Sequence, residues 1–250
     1  MTKIFAHRGS KGTHPENTLA AFAESVRIGV DGIELDIHLS KDEELVVIHD
    51  ETLNRTTSGK GEVADFTLAE LKQFDAGSWF ACHYEQERIP TLLEVFDLLQ
   101  QLAYQGIVNV EVKTDEKEYP GIEEKLVALV HQRTWSFDVM YSSFNLLTLQ
   151  RLAMIDMDTK KSWIMVGSVV TLPFAHYFSM LEGIHPNFSW FIESEQELQQ
   201  FDKAVRPWTV NSEYEMWMCF ERNVTAFHTD YPEQALKLRK KFEQETMLQV

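Results

Sequence analysis

The strongest constraint in the sequence is an eight-residue stretch, Gly32–Leu39, in which apolar and polar residues alternate. A period of two is typical of a β-strand, and it places Glu34, Asp36 and His38 on one face and apolar residues on the other. Two carboxylates roughly 7 Å apart on one strand face are costly to bury without a compensating cation. A hard metal ion, which takes oxygen ligands, would compensate them. A solvated face of an edge strand is the alternative at this point.

Strand-like and helix-like segments alternate along the rest of the 250-residue chain. Short apolar runs predict strands, and amphipathic stretches with capping residues predict the helices between them. The predicted strands cover residues 4–6, 32–39, 45–48, 108–114, 139–144, 162–166, 183–187, 207–211 and 226–229. The predicted helices cover residues 19–28, 67–71, a segment beginning at 91, and 122–130, 146–153, 173–180, 195–204, 213–221 and 233–242.

This alternation predicts a parallel sheet with helical crossovers. If the strand at 45–48 belongs to a hairpin or an insertion, eight β/α units remain, and the chain length matches an eight-fold barrel. The fold prediction is therefore α/β, a TIM-type (β/α)8 barrel that forms a single domain over residues 1–250. A turn-rich segment, about residues 51–90, is interpreted as a small insertion beside the barrel.

Charge and cysteine content limit the partners and the compartment. The formal net charge of −16 argues against nucleic acid and anionic membranes as partners. Cys82 and Cys219 lie far apart and lack metal-ligand spacing, so two free, buried thiols in a reducing cytoplasm are expected. The N-terminal residues show no apolar signal region. We therefore expect a cytoplasmic protein without stable membrane association.

Reactive residues cluster where the predicted strands end. Active sites of β/α barrels lie at the carboxyl ends of the strands. The residues at these ends are His7, Arg8, Glu34, Asp36, His49, Glu111, Lys113, Ser142, Phe144, Trp208, Asn211 and Asp230. A random scatter of charged residues would not select the same end of so many strands, so we expect one site there.

Two chemical groups within this set favour catalysis with a metal. Glu34, Asp36 and Glu111 offer carboxylate oxygens for one divalent cation, Ca²⁺ or Mg²⁺, with positions left for water and substrate. His7 and His49 carry imidazoles, whose ordinary pKa near 6.5 suits an acid and a base near neutral pH.

Two cations complete the candidate site. Arg8 and Lys113 suit a phosphoryl group, the first as a bidentate fork and the second as a point charge. Taken alone, Glu111 and Lys113 could form an ion pair inside the barrel, and Trp208 could be a core residue. The whole set favours displacement at a phosphorus ester.

The same residues resemble the glycerophosphodiester phosphodiesterase family. The family pattern of His-Arg, Glu-x-Asp and His stands here as His7-Arg8, Glu34-Leu35-Asp36 and His49-Asp50. Further matching segments are 15–18, 74–77, 89–92, 111–113, 142–144, 208–211 and 229–232. The resemblance covers nearly the whole chain and implies a catalytic barrel.

The resemblance also implies an activity, the hydrolysis of glycerophosphodiesters such as glycerophosphocholine to sn-glycerol 3-phosphate and an alcohol. The implied roles follow by position: divalent metal at Glu34, Asp36 and Glu111, acid and base at His7 and His49, phosphate binding at Arg8 and Lys113, and apolar walls at Phe144 and Trp208. A phospholipase-type phosphodiesterase on the same barrel and a non-catalytic barrel that binds a ligand are the alternatives. Several points stay open: the leaving alcohol, the choice of Ca²⁺ or Mg²⁺, the acid and base assignment, water or the glycerol 2-hydroxyl as nucleophile, and a homo-oligomeric state.

Overall fold

A single sheet forms the centre of the structure. The computed structural model describes residues 1–167 and 171–247, and within these residues nine strands belong to that sheet. The strands are β1 (Lys3–Ala6), β2 (Gly32–Leu39), β3 (Leu45–Val47), β4 (Ile107–Val112), β5 (Asp138–Ser143), β6 (Lys160–Met165), β7 (Gly183–Pro186), β8 (Ala204–Val205) and β9 (Ala226–Thr229). Eight of them run parallel, and β3 pairs antiparallel with β2 as a hairpin strand.

The parallel strands form a nearly closed barrel. Their order is β8-β7-β6-β5-β4-β2-β1-β9. The segment after β8 connects the β7–β8 edge of the sheet with the β9 edge. On the β7 side, the Trp208 amide donates to the Pro186 carbonyl over 2.9 Å, and on the β9 side, the Val210 amide donates to the His228 carbonyl over 2.9 Å. The predicted (β/α)8 barrel is confirmed.

Ten α-helices are found in the same described ranges. They are α1 (Leu19–Ile28), α2 (Leu68–Leu71), α3 (Leu92–Gln101), α4 (Ile122–His131), α5 (Leu146–Ile155), α6 (Thr171–Tyr177), α7 (Phe188–Glu193), α8 (Glu195–Leu198), α9 (Glu213–Glu221) and α10 (Pro232–Met247). Thr67 and Thr91 both form the capping boxes expected from their spacing to Glu70 and Glu94. These caps explain why α2 and α3 begin where the sequence predicts.

The alternation in β2 places its apolar residues against the surrounding helices and its polar residues inside the barrel. Ile33, Leu35 and Ile37 are fully buried in the main hydrophobic core with Phe22 of α1 and Phe96 of α3. The polar residues of β2 are buried as well, because they point into the barrel. The interpretation of this stretch as a solvated edge strand is therefore wrong.

Several element boundaries late in the chain differ from the prediction, and two of these differences lie around β8. The strand predicted at 207–211 is found at Ala204–Val205, and the later residues are irregular apart from a bridge between Asn187 and Trp208. Pro207 has no amide hydrogen for a continuous ladder. The helix predicted at 195–204 begins at Glu195 as predicted, but α8 already ends at Leu198. At the end of the predicted helix, the Ala204 amide donates a hydrogen bond to the Glu182 carbonyl beside β7 over 3.1 Å. Pairing of this segment with β7 therefore overrides its helix propensity.

Residues 51–90 add none of the named strands. They contain α2 and two short 3₁₀ helices, Val63–Asp65 and Cys82–Tyr84. Leu53, Val63 and Leu71 of this segment form a small buried cluster together with Val46 of β3. The organisation as a single domain with an insertion stays a prediction.

Candidate active site

Three buried carboxylates meet at the carboxyl ends of β2 and β4. Asp36 pairs with Glu111 in the register of these strands, and Glu34 lies two residues earlier on β2. One carboxylate oxygen from each side chain lies within 4.8 Å of the other two. Burial and repulsion from the neighbouring carboxylates raise the pKa of Glu34, and burial is the main cause of the raised pKa of Glu111. A nearby positive charge would therefore stabilise the ionised form of these carboxylates.

The donor set fits a divalent cation. Glu34 Oε1 is buried and has no hydrogen-bond partner among the described residues. Glu111 Oε1 and Asp36 Oδ1 have the Lys113 ammonium beside them, at 2.6 and 3.4 Å. Hard carboxylate oxygens with free lone pairs are the ligands that Ca²⁺ and Mg²⁺ prefer. The prediction that Glu34, Asp36 and Glu111 form one acidic cluster is confirmed.

The cations Arg8 and Lys113 flank the carboxylates. The Arg8 backbone amide donates to Glu34 over 2.8 Å, and Arg8 Nε lies 3.4 Å from Asp36 Oδ2. Asn17 donates its side-chain amide to the same Asp36 oxygen over 2.8 Å. Burial opposes the charged form of Asp36, but Lys113 and Arg8 outweigh it and hold its pKa well below the usual range. Both cations therefore lie beside the acidic cluster, and both line the same pocket.

Each candidate catalytic histidine is held by an aspartate. His7 Nδ1 lies 2.6 Å from Asp230 Oδ1, and His49 Nδ1 lies 2.7 Å from Asp50 Oδ1. Because these contacts engage Nδ1, the Nε2 atom of each ring remains for proton transfer. Burial, with help from the positive charge of Arg8, lowers the pKa of His7 to about 4.

These side chains line one pocket that encloses about 360 Å³, including its open mouth. Phe144 and Trp208 form an edge-to-face pair in its wall, with ring centroids 5.6 Å apart. The pocket is lined by His7, Arg8, Glu34, His49, Asn109, Glu111, Lys113, Phe144, Ile164, His185, Trp208 and His228. The site residues predicted from the sequence are thus brought together, and Asp36 lies directly behind the lining through its contacts with Arg8 and Lys113.

Sequence reasoning did not assign several residues that support the site. Glu16 binds the Arg8 guanidinium over 2.8 Å, and Asn211 donates to Asp230 over 3.0 Å. Asn109, His185 and His228 also line the pocket, and all three are buried. The period of two along β4 could have identified Asn109 as a pocket residue, because Asn109 shares a strand face with Glu111. His185 on β7 and His228 on β9 could not be found in this way, because only closure of the barrel brings these strands to the pocket.

Fold and site together define a class of protein: β/α barrels with an acidic, histidine-flanked pocket at the carboxyl ends of the strands. Within that class, this chain belongs to the glycerophosphoryl diester phosphodiesterase family, whose family model matches residues 7–234. The resemblance inferred from the motifs is confirmed.

Curated relatives and solved structures agree with this assignment. The chain is 39% identical over 243 residues to a glycerophosphodiester phosphodiesterase of Caldanaerobacter subterraneus subsp. tengcongensis, covering 96% of this chain and 98% of the relative. It is 39% identical over 251 residues to a glycerophosphodiester phosphodiesterase of Bacillus altitudinis, with the same coverage of 96% and 98%. A phosphodiesterase from Oleispira antarctica, solved in complex with the product sn-glycerol-3-phosphate, superimposes with a TM-score of 0.84 at 30% identity and covers 96% of this chain and 97% of its own.

Proposed function

We propose that this protein hydrolyses glycerophosphodiesters, such as glycerophosphocholine, to sn-glycerol 3-phosphate and an alcohol. The observation that carries this proposal is that a three-carboxylate cluster and two histidine–aspartate pairs converge on one pocket in a chain of this family. The similar Oleispira antarctica structure holds sn-glycerol-3-phosphate, which supports a small phosphate ester as the ligand.

Binding and charge stabilisation are assigned to the acidic cluster and the cations. Glu34, Asp36 and Glu111 would hold one divalent cation, Ca²⁺ or Mg²⁺, which would stabilise negative charge on the phosphoryl oxygens. Arg8 and Lys113 would bind the phosphate, and their contacts with Asp36 and Glu111 keep both cations at the cluster. Lys113 Nζ also lies 5.7 Å from the centre of the Phe144 ring, so phosphate binding adjoins the apolar wall.

The proton transfers are assigned to the two histidines. With a pKa of about 4, His7 is neutral near pH 7, which suits a base that takes the proton of the attacking hydroxyl. The attacking hydroxyl is that of water or the glycerol 2-hydroxyl; in the second case the product is a cyclic phosphate, which water must then open to give sn-glycerol 3-phosphate. Asp230 holds the proton of His7 on Nδ1, which leaves Nε2 as the acceptor. His49, paired with Asp50, would then protonate the leaving alkoxide.

Small soluble substrates fit the remaining features of the chain better than nucleic acid or membrane surfaces. The net charge of −16 disfavours polyanionic partners. Cys82 and Cys219 are both free, but Cys82 is exposed, so the prediction that both thiols are buried is wrong for Cys82. In the part of the chain that the structure describes, no helix has the length and apolar character needed to cross a bilayer.

The deciding experiment measures release of glycerol 3-phosphate from a panel of glycerophosphodiesters. The panel contains choline, ethanolamine, glycerol and inositol esters, each with EDTA, Ca²⁺ or Mg²⁺. Vesicles of phosphatidylinositol and of sphingomyelin test the phospholipase alternative in parallel. We expect metal-dependent turnover of the small diesters only. Turnover confined to the vesicles, or binding without turnover, would reject the proposal.

A further inference from the structure

His38 lies on the same face of β2 as Glu34 and Asp36, yet it lies outside the pocket lining. Its side chain is fully buried and binds two separate segments of the chain. His38 Nε2 lies 3.0 Å from the His49 carbonyl oxygen, and Nδ1 lies 3.0 Å from the Tyr119 hydroxyl oxygen. His38 thus contacts the backbone of a candidate catalytic residue without entering the pocket.

The direction of both hydrogen bonds follows from the partner atoms. A carbonyl oxygen only accepts, so Nε2 of His38 carries a proton and donates it to the His49 carbonyl. Burial favours the neutral imidazole, in which Nδ1 is then an acceptor. The Tyr119 hydroxyl therefore donates to Nδ1, and the two rings meet edge-on with centroids 5.5 Å apart. Tyr119, His38 and the His49 carbonyl form one hydrogen-bonded chain.

The bond from His38 fixes the peptide unit between His49 and Asp50. The paired register of β2 and β3 ends at Val47, so His49 lies in a bend beyond the strand, and a side chain of β2 holds its carbonyl. This carbonyl belongs to the peptide that joins His49 to Asp50. Its orientation therefore sets the relative position of the two side chains, whose Nδ1 and Oδ1 atoms lie 2.7 Å apart.

The histidine–aspartate pair is more exposed than the groups that hold its backbone. The side chains of His49 and Asp50 are 30% and 25% exposed, and that of Arg55, which donates to Asp50, is 44% exposed. His38 and Tyr119 are 0% and 6% exposed. Partly exposed side chains exchange partners with water, whereas buried hydrogen-bonded groups keep one geometry. The buried side is therefore where the orientation of the pair is best fixed.

We propose that His38 and Tyr119 are positioning residues, whose hydrogen-bonded chain orients the peptide between His49 and Asp50 and so aims the His49 ring at the leaving group. Tyr119 lies between β4, which carries Glu111, and α4, so the chain also ties His49 to a strand of the acidic cluster. This inference rests on the proposed function and adds to it two buried residues that act through His49. Displacement of a catalytic group by about 1 Å can cost about 10²-fold in rate, which sets the size of the expected effect.

The test compares two diesters of sn-glycerol 3-phosphate that differ in their need for an acid. Choline leaves glycerophosphocholine as a strongly basic alkoxide and needs a proton from His49, whereas 4-nitrophenolate leaves the 4-nitrophenyl diester without one. In His38→Leu, kcat for glycerophosphocholine should fall by about 10²-fold, with KM changed less than about threefold. As in His49→Ala, kcat for the 4-nitrophenyl diester should fall by less than about threefold, because the acid is not needed there.

Conservative variants separate positioning from packing. His38→Gln keeps an amide donor near the Nε2 position and should recover most of the rate, whereas the shorter amide of His38→Asn should not; this pair serves as the test if His38→Leu does not fold. Tyr119→Phe removes only the hydroxyl and should lower kcat for glycerophosphocholine about fivefold. Tyr104→Phe is the matched control, because Tyr104 is also 6% exposed and its hydroxyl donates to the Val30 carbonyl, away from the pocket. It should keep wild-type turnover.

The criterion is whether His38→Leu reproduces the substrate pattern of His49→Ala. A matching pattern, with recovery in His38→Gln, supports the inference. An equal loss on both diesters in His38→Leu, when His49→Ala affects glycerophosphocholine alone, would show general damage to the site and would overturn the inference. Unchanged turnover in His38→Leu would overturn it as well. If the wild-type protein releases no glycerol 3-phosphate from either diester, the proposed function fails instead, which is a distinguishable result.

Discussion

Glu16 and Arg55 form a bidentate pair, in which Arg55 Nη1 and Nη2 lie 2.9 and 2.8 Å from the two Glu16 carboxylate oxygens. The Glu16 side chain is 2% exposed and also accepts a hydrogen bond from Arg8. Arg55 in turn donates to Asp50, the partner of His49. One buried carboxylate thus connects the phosphate-binding side of the pocket with a candidate catalytic histidine.

Glu16→Gln should destabilise the fold in a pH-dependent way. Burial raises the pKa of Glu16, but the hydrogen bond from Arg55 and the charge of Arg8 outweigh it and lower the pKa from 4.5 to about 2. A carboxyl whose pKa is lowered in the folded state stabilises the fold above its unfolded pKa, and this contribution is lost as the pH falls through the folded value. The wild type should exceed the variant by about 3 kcal/mol in unfolding free energy at pH 7.

Urea denaturation at several pH values checks this prediction. The difference between wild type and Glu16→Gln should shrink steadily between pH 4.5 and about 2. Glu24→Gln is the matched control, because Glu24 pairs with the exposed Arg27 on α1, and we expect less than about 1 kcal/mol there. A difference for Glu16→Gln that stays constant over this pH range would contradict the assignment.

His7→Ala and His49→Ala should each lower kcat by about 10²- to 10⁴-fold while the fold is kept. Both residues line the pocket at the ends of their strands and do not belong to the hydrophobic core. Steady-state kinetics with glycerophosphocholine measures the effect, and circular dichroism checks the fold. His176→Ala, which alters a histidine outside the pocket, should keep wild-type turnover. Near-normal turnover in His49→Ala would remove that residue from the mechanism.

Asp230→Asn should lower kcat by about 10²-fold or more, with KM changed less than about threefold. The carboxylate holds the His7 proton on Nδ1, and an amide can favour the wrong tautomer. Asp202→Asn is the matched control, since Asp202 forms an exposed ion pair with His176 at 3.3 Å. An equal effect of both substitutions would show that the His7–Asp230 pair has no special role.

The pH profile of kcat/KM should stay flat from pH 7 down to about 5 and fall below that, with an acid limb near pH 4. The reason is that a base must be unprotonated, and burial keeps His7 unprotonated until the pH approaches its pKa. Initial rates at low substrate concentration give this profile. An acid limb near the ordinary histidine value of 6.5 would assign the base to another group.

Glu34→Gln should stabilise the metal-free protein and remove its response to metal. The substitution relieves repulsion among three carboxylates whose oxygens lie within 4.8 Å. Each kcal/mol gained should raise Tm by about 2–4 °C.

In the wild type, EDTA should abolish activity, and added Ca²⁺ or Mg²⁺ should restore it and raise Tm. Glu116→Gln, which alters an exposed side chain, should respond to metal as the wild type does. Turnover that survives EDTA would reject the carboxylate site.

The candidate site was largely predictable because its members follow a local pattern. Glu34 and Asp36 share a strand face through a period of two, and Glu111 and Lys113 repeat the pattern on β4. Barrel strands end at a common rim, so strand-end residues meet. The structure confirms the acidic cluster, while the individual catalytic roles stay predictions.

The supporting contacts were not predictable in the same way. Glu16 and Arg55 lie 39 positions apart, and His7 and Asp230 lie 223 positions apart. Nothing in the local residue types selects these pairs. The same applies to His185 and His228, which look like two unrelated histidines in the sequence until closure of the barrel brings β7 and β9 to the two sides of the β8 segment.

Residue types and their spacing were therefore enough to predict the strand period, the capping boxes, the barrel class and the acidic cluster. The first two depend on neighbours a few positions apart, and the last two follow from the repeated alternation of strands and helices, which places strand-end residues at one rim. Closure of the barrel was needed to decide where β8 lies, which aspartate holds His7 and which buried groups lie together inside the pocket. The physical reason is that these contacts form between strands and loops distant in the chain, and their partners are selected by packing and by the need to satisfy buried charge.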